Sequence, residues 1–226
     1  MNEAEIYRTL LREDYAEYVK HVHNGEWIKT RFHAFLCKYV QNFVERETKA
    51  PYEILVVHTP PQHGKSQTIT ETLPSWYVGK HPNKRVIEIS YNKEFAIRFG
   101  RRNKRKIVEY GKEIFGIEVS KEASKTQEFE IANHSGGMLS AGIGTAVTGQ
   151  RANLLIIDDP VKNRAEANSK SRRDLIYDEW LSTFRSRLAP HSKVILIMTR
   201  WHEDDLAGRL LDEEDNIKYL RFPCEF

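Results

Sequence analysis

The stretch TPPQHGKSQT, Thr59 to Thr68, lies between the apolar run Ile54-Leu55-Val56-Val57 and a polar segment that reads as a helix. A strand, a tight loop ending in Gly-Lys-Ser and a helix, in that order, form the layout of a P-loop, the Walker A motif. The residue types follow from the chemistry of holding phosphate. Gly64 lets the backbone turn so that successive N–H groups point inward at phosphate oxygens, at the positive end of the helix that follows. Lys65 is placed to reach the β- and γ-phosphates of a nucleotide, and the Ser66 hydroxyl is a hard oxygen ligand suited to Mg²⁺. Pro61, Gln62, His63 and Gln67 complete the candidate nucleotide-binding set. The full pattern opens on glycine where this chain has Thr59; Pro60 and Pro61 fix φ there and hold the loop's shape, at the cost of two N–H donors. The competing reading is an ordinary strand-to-helix turn that contains Gly-Lys-Ser.

Composition sets the outer limits. A chain of 226 residues suits one α/β domain with a small accessory segment, or at most two domains. With 35 Lys+Arg against 32 Asp+Glu the formal charge is +3, which permits a polyanionic partner without demanding one. The two cysteines, Cys37 and Cys224, are far apart and lack metal spacing, which points to a reducing compartment and argues against zinc. No apolar run approaches the roughly 20 residues that cross a bilayer, and the acidic, polar start is unlike a signal peptide. A soluble, intracellular protein with no membrane partner is expected.

Around the loop, helices and strands alternate. Ile6, Leu10, Leu11, Tyr15, Tyr18, Val19 and Val22 recur at helical spacing and Asn2 pairs with Glu5 as a cap, so one packing helix is expected over residues 3–22. Gly25 breaks it, and Thr30 is placed to cap a second helix with an apolar stripe from Phe32 to Val44. Trp27 to His33 (WIKTRFH) is either plain packing or a segment that contacts adenine. Pro74 should end or kink the helix begun at Lys65. Val86 to Ser90 forms a second strand. The helix after it, from about Asn92 to Tyr110, carries Arg98, Arg101, Arg102, Lys104, Arg105 and Lys106 with no acid interrupting the set. A concentrated positive face is expected rather than a salt-bridged one, either simply solvated or touching a phosphate backbone through Arg101, Arg102 and Arg105.

Residues 117–127 read as a loop, and Phe129-Ile131 with Gly137-Ser140 as a short hairpin. Glycines 142, 144 and 149 suit a mobile backbone segment. Leu154-Leu155-Ile156-Ile157 is a strand buried on both faces, ended by Asp158-Asp159-Pro160. Ser171 with Asp174 opens a helix that Pro190 closes, Val194 to Met198 is a fourth buried strand ending in Thr199-Arg200, Glu203 to Leu211 is a helix, and Ile217 to Phe222 is a last strand. The pattern implies an α/β fold, a largely parallel sheet flanked by helices, with a helical segment over 1–50 packing on a core over 51–226. The loop, Asp158-Asp159 and Thr199-Arg200 then meet at the C-terminal strand edge. There Asp158 is placed to hold Mg²⁺ through water with Ser66, and Asp159 to orient or deprotonate a water attacking the γ-phosphate. A second acid directly after the first favours water as acceptor, hence a nucleoside triphosphatase rather than a small-molecule kinase.

These residues resemble a known family, the large subunit of tailed-bacteriophage terminases. The resemblance covers most of the chain and rests on PPQHGKS, on SYN at Ser90 to Asn92, on GGMLSAGIG at Gly136 to Gly144, on LLIIDDPVKN at Leu154 to Asn163 and on TRWHEDDLAGRLL at Thr199 to Leu211. It implies a RecA-like (ASCE) ATPase that uses ATP and Mg²⁺ to drive double-stranded DNA into a procapsid in the host cytoplasm. Portal or procapsid and the small terminase subunit would be its partners, and subunits would form a ring when assembled and stay monomeric when isolated. Thr199-Arg200 falls at the family's coupling motif, and Arg151 is the nearest match to an arginine that acts on a neighbouring subunit's nucleotide. Gln62 and His63 stand where relatives commonly carry an arginine, and Asp159 where they carry a glutamate. A ribonuclease H-like nuclease follows the ATPase in the family, so the expectation for a chain ending at Phe226 is the motor without its nuclease. A nucleic-acid helicase and a non-hydrolysing DNA-binding module are the alternatives.

Overall fold

Four apolar residues in succession, Leu154 to Ile157, can be buried only between two layers of helix, and they form the middle of a sheet. The computed structural model describes residues 2–125, 127–145, 147 and 149–222. The strand is β6 (Ala152–Asp158); in chain order the others are β1 (Tyr52–His58), β2 (Arg85–Ser90), β3 (Val119–Lys125), β4 (Glu128–Ile131), β5 (Gly137–Gly142), β7 (Leu188–Met198) and β8 (Ile217–Arg221). They lie in the order β3-β4-β5-β2-β6-β7-β1-β8, with neighbours parallel except that β4 runs antiparallel to both β3 and β5. Alternate side chains feed two cores. Leu55, Val57, Leu154 and Ile156 face the layer of α1 (Glu3–Glu13), α2 (Tyr15–Val22), α3 (Arg31–Glu45) and α5 (Leu73–Lys80). Ile54, Val56, Leu155 and Ile157 face α8 (Arg164–Asn168), α9 (Lys170–Glu179) and α10 (Leu206–Glu213). No helix among the described residues is long and apolar enough to cross a membrane.

Several expected elements differ. The single helix over 3–22 is two, because Asp14 leaves the helical region at φ −118° and its carboxylate takes the Ala16 and Glu17 N–H groups, capping α2. Ile6, Tyr7 and Leu10 on α1 remain exposed. The helix begun at Lys65 is one turn, α4 (Lys65–Thr68), and α5 starts with Pro74 in its first turn, where a missing N–H costs nothing. The basic helix α6 (Lys93–Lys106), capped by Asn92, continues through a π-turn into α7 (Lys112–Phe115), ended by Gly116 in the left-handed region. Residues 119–125 are an edge strand, not a loop; an edge tolerates the charged residues that hid it in the sequence. Ser169, not Ser171, caps α9, and Pro190 lies within β7 at its exposed outer end, where the pairing with β6 shifts register. The helix expected from Glu203 begins at Leu206, capped by Asp205. The glycine-rich stretch after β5 includes Ala146 and Thr148, and the chain end includes Cys224, all outside the described residues.

Candidate functional site

The C-terminal tips of β6, β7 and β1 are neighbours in the sheet, so the three segments singled out above meet. After β1 the chain turns with Gln62 at φ 63° and Gly64 at φ 70°, and His63 Nδ1 donates to the Pro61 carbonyl at 2.8 Å. A run of turned N–H groups of this kind makes an anion-binding concavity. Because α4 is a single turn its dipole is small, and holding an anion here falls to the local N–H groups and to Lys65.

Lys65 is buried, and its Nζ donates to Thr199 Oγ1 at 2.8 Å and pairs with Asp159 Oδ1 at 3.3 Å. The same Asp159 oxygen accepts the Thr199 N–H at 3.1 Å, and Asp159 itself sits at φ 43°, a conformation that L residues rarely adopt. Lysine, acid and threonine are thus closed into one ring of contacts. Asp158 is fully buried; its Oδ1 accepts the Ser66 hydroxyl at 3.2 Å, and its Oδ2 makes no hydrogen bond among the described residues. Burial pushes its pKa up to about 7, and the neighbouring Asp159 charge adds to the effect. A cavity of about 370 Å³ opens over this cluster, lined by Gly64, Lys65, Ser66, Asp159 and Thr199. Pro61, Gln62 and Gln67 also line it.

Arg200 turns away from the cavity. Its Nε pairs with Asp205 at 2.8 Å and its Nη2 donates to the Glu203 carbonyl at 2.9 Å, while Asp205, almost wholly buried, caps α10 by accepting the Gly208 N–H. Position 208 has to be glycine, since a Cβ there would lie 1.9 Å from the Glu203 carbonyl oxygen. Thr199 is therefore held by the P-loop lysine and Arg200 by α10.

Arg151 is not brought to this cluster. It is exposed and directly precedes β6, at the opposite edge of the sheet from Asp158. Seven residues of strand at about 3.3 Å each put roughly 20 Å between them.

The basic face of α6 corrects its expectation. Arg102 pairs with Glu71, Arg105 with Glu109 one turn on, and Lys106 is buried with its Nζ on the Glu71 carbonyl and 3.7 Å from the Glu71 carboxylate. Acids lying before and after the helix in the chain neutralise much of its charge; Arg101 is exposed. Trp27 likewise is almost fully buried with its Nε1 donating to Thr68 Oγ1 at 3.1 Å, so its ring serves packing. Tyr91, Phe95, Lys162 and Trp201 also line the cavity, and the sequence reading assigned none of them to the site, although Tyr91 and Lys162 lie inside the SYN and LLIIDDPVKN blocks. Glu88, in the middle of β2, was also missed. It is fully buried with neither carboxylate oxygen hydrogen-bonded among the described residues, and burial, with Asp158 nearby, pushes its pKa well up.

Comparison with known proteins bears on the fold and the family. The family described as terminase large subunit, T4likevirus-type, N-terminal, matches residues 56–223. Among curated proteins none matches. The crystal structure of the HK97 bacteriophage large terminase is similar at a TM-score of 0.61 and 12% identity, over all of this chain and 45% of that one. The large terminase of a thermophilic bacteriophage, solved in complex with ADP, gives a TM-score of 0.44 at 11% identity over 75% of this chain and 40% of that one, which is too distant to carry weight. The chain thus spans less than half the length of either relative. The first likeness establishes the RecA-like fold, and the match over most of the sequence establishes the rest: the chain belongs to the terminase large subunit family, in its N-terminal part.

Proposed function

We propose that this chain is the ATPase motor of a terminase large subunit, hydrolysing ATP to translocate double-stranded DNA into a procapsid. The observation that carries the reading is the position of Lys65, buried at the mouth of the P-loop and bonded at once to Asp159 and Thr199. An incoming γ-phosphate competes for that ammonium. When Lys65 turns to it, Asp159 is released to align a water with the γ-phosphorus and take its proton as the new P–O bond forms and the bond to ADP breaks. The donor set fits Mg²⁺: the unpartnered Asp158 Oδ2 and the Ser66 hydroxyl are hard oxygen groups side by side. Bound there, the ion would offset charge on the phosphates, with Asp158 holding it through water. Thr199-Arg200 would pass the change at the phosphate to α10. Portal, procapsid and the small terminase subunit would be the partners, in the cytoplasm of the infected cell, with subunits arranged in a ring.

Lys65→Ala is expected to reduce ATP turnover by at least about 10²- to 10³-fold, the scale of losing one preorganised charge-stabilising donor. Phosphate release measured with and without Mg²⁺ checks this, alongside circular dichroism to show the fold intact. Turnover at the parent rate in a folded variant excludes the P-loop role. No Mg²⁺-dependent release from the parent would instead favour a non-hydrolysing DNA-binding module.

DNA contact is assigned to α6. Replacing Arg101, Arg102 and Arg105 with Ala should weaken DNA binding about equally for all sequences and flatten its salt dependence, by about one unit of slope for each phosphate no longer neutralised. Arg101 is expected to dominate, because Arg102 and Arg105 already have carboxylate partners. A salt titration with an unchanged slope would return this helix to a solvated face.

A further inference from the structure

The P-loop is held in a costly shape. Gln62, which is not glycine, occupies the left-handed region, which L side chains rarely adopt. Such a conformation persists only where its surroundings fix it, and behind the loop stands His33, from the N-terminal helical segment. A Cβ on Gly64 would lie 2.9 Å from His33 Nε2, so the imidazole edge lies directly against the His63-Gly64 peptide. The ring itself is fixed. Its Nδ1 is 2.8 Å from Thr30 Oγ1, and Trp27 and Phe32 pack edge-on against it with centroids 5.2 and 5.1 Å away.

Thr30 Oγ1 accepts the His33 backbone N–H at 3.3 Å as the cap of α3 and lies 2.8 Å from Nδ1. With the Thr30 hydroxyl hydrogen donated to Nδ1, the ring proton sits on Nε2, the atom that stands against Gly64. Burial lowers the pKa of His33, which favours the neutral ring. In a trans peptide the carbonyl and the following N–H point in opposite directions. A donor that holds the His63 carbonyl back thus turns the Gly64 N–H into the loop.

We propose that His33 is a positioning residue for the P-loop, donating through Nε2 to the His63 carbonyl and so presenting the Gly64 N–H to the bound phosphate. This rests on the nucleotide reading above. It makes the N-terminal segment part of the nucleotide site's construction: Tyr15 and Trp27 hold Thr68 at the far end of α4 as His33 holds its start.

The test is titration of a fluorescent ADP analogue into the full chain and into its His33→Leu, His33→Gln and Lys65→Ala variants, with melting temperatures in parallel. His33→Leu removes the donor at similar size and should weaken binding about fivefold to tenfold, the scale of one missing hydrogen bond, with the melting temperature little changed. His33→Gln places an amide N–H near the former Nε2 and should stay within about twofold of the parent. Equal affinity in parent and Leu variant, or equal losses in Leu and Gln tracking a fall in melting temperature, would reduce His33 to packing and overturn the proposal. A parent that does not bind the analogue, or binds no better than Lys65→Ala, removes the nucleotide reading and this inference with it, so the two failures are told apart.

Discussion

Assembled subunits carrying Arg151→Ala are expected to hydrolyse ATP about 10³- to 10⁵-fold more slowly than the parent, and to recover activity when mixed with Lys65→Ala subunits. The reason is geometric. Arg151 is exposed, at the edge of the sheet remote from its own Asp158, so it has no path to the phosphate held by its own Lys65. A surface placed on one side of the fold while the nucleotide cavity opens on the other suits a ring in which each subunit faces its neighbour head to tail. An arginine brought to a neighbour's transferring phosphoryl group neutralises charge as it develops, which accounts for the size of the effect. In the mixture, Arg151→Ala subunits supply an intact P-loop and Lys65→Ala subunits an intact arginine. Sedimentation must show co-assembly; without recovered turnover in such a mixture, action in trans is ruled out. Isolated domains that stay monomeric should bind ATP yet turn it over slowly, with specific activity rising with protein concentration.

The two adjacent aspartates should separate cleanly. Asp159→Asn is expected to bind nucleotide normally and lose about 10²- to 10⁴-fold in turnover, since an amide keeps the Thr199 N–H contact through its oxygen but takes no proton from water. Asp158→Ala should instead lose Mg²⁺-dependent affinity, because the buried carboxylate beside Ser66 supplies the charge a cation needs. Nucleotide titrations at fixed and varied Mg²⁺, with single-turnover hydrolysis, distinguish binding from chemistry. Parent-like affinity and rate in both variants would make the acids structural.

What the sequence made legible was whatever acts locally. Apolar runs at Ile54, Leu154 and Val194 became the three adjacent central strands, and because each is followed at once by its polar segment, their convergence followed from a parallel sheet alone. What it concealed depends on long-range pairing. Arg102 meets Glu71 across 31 positions, which no reading of one helix face detects. The apolar stripe of residues 3–22 continues in phase through Asp14, and only the side chain's competition for backbone N–H groups breaks it. Residues 119–125 carry charge on an edge strand, and their pairing with β4 is not written in their own composition. His33 was noticed as part of WIKTRFH, but that its ring stands against Gly64 depends on how α3 packs on the sheet.

The contacts of Lys65 have a thermodynamic corollary. One ammonium holds both Thr199 and Asp159, and it could not keep both at full strength while also saturating a phosphate. Occupancy of the loop and the bonding state of the β7 tip are therefore linked quantities, and linkage is reciprocal: a change at Thr199 that favours release of Lys65 raises affinity for nucleotide by the same factor by which nucleotide favours that change. Arg200 is the next residue, clamped by the α10 cap, so mechanical strain arriving through α10 has a short covalent route to this equilibrium. If the chain works as proposed, load would be read as binding affinity, and a stalled substrate would alter how long each subunit keeps its nucleotide before any bond in it is broken.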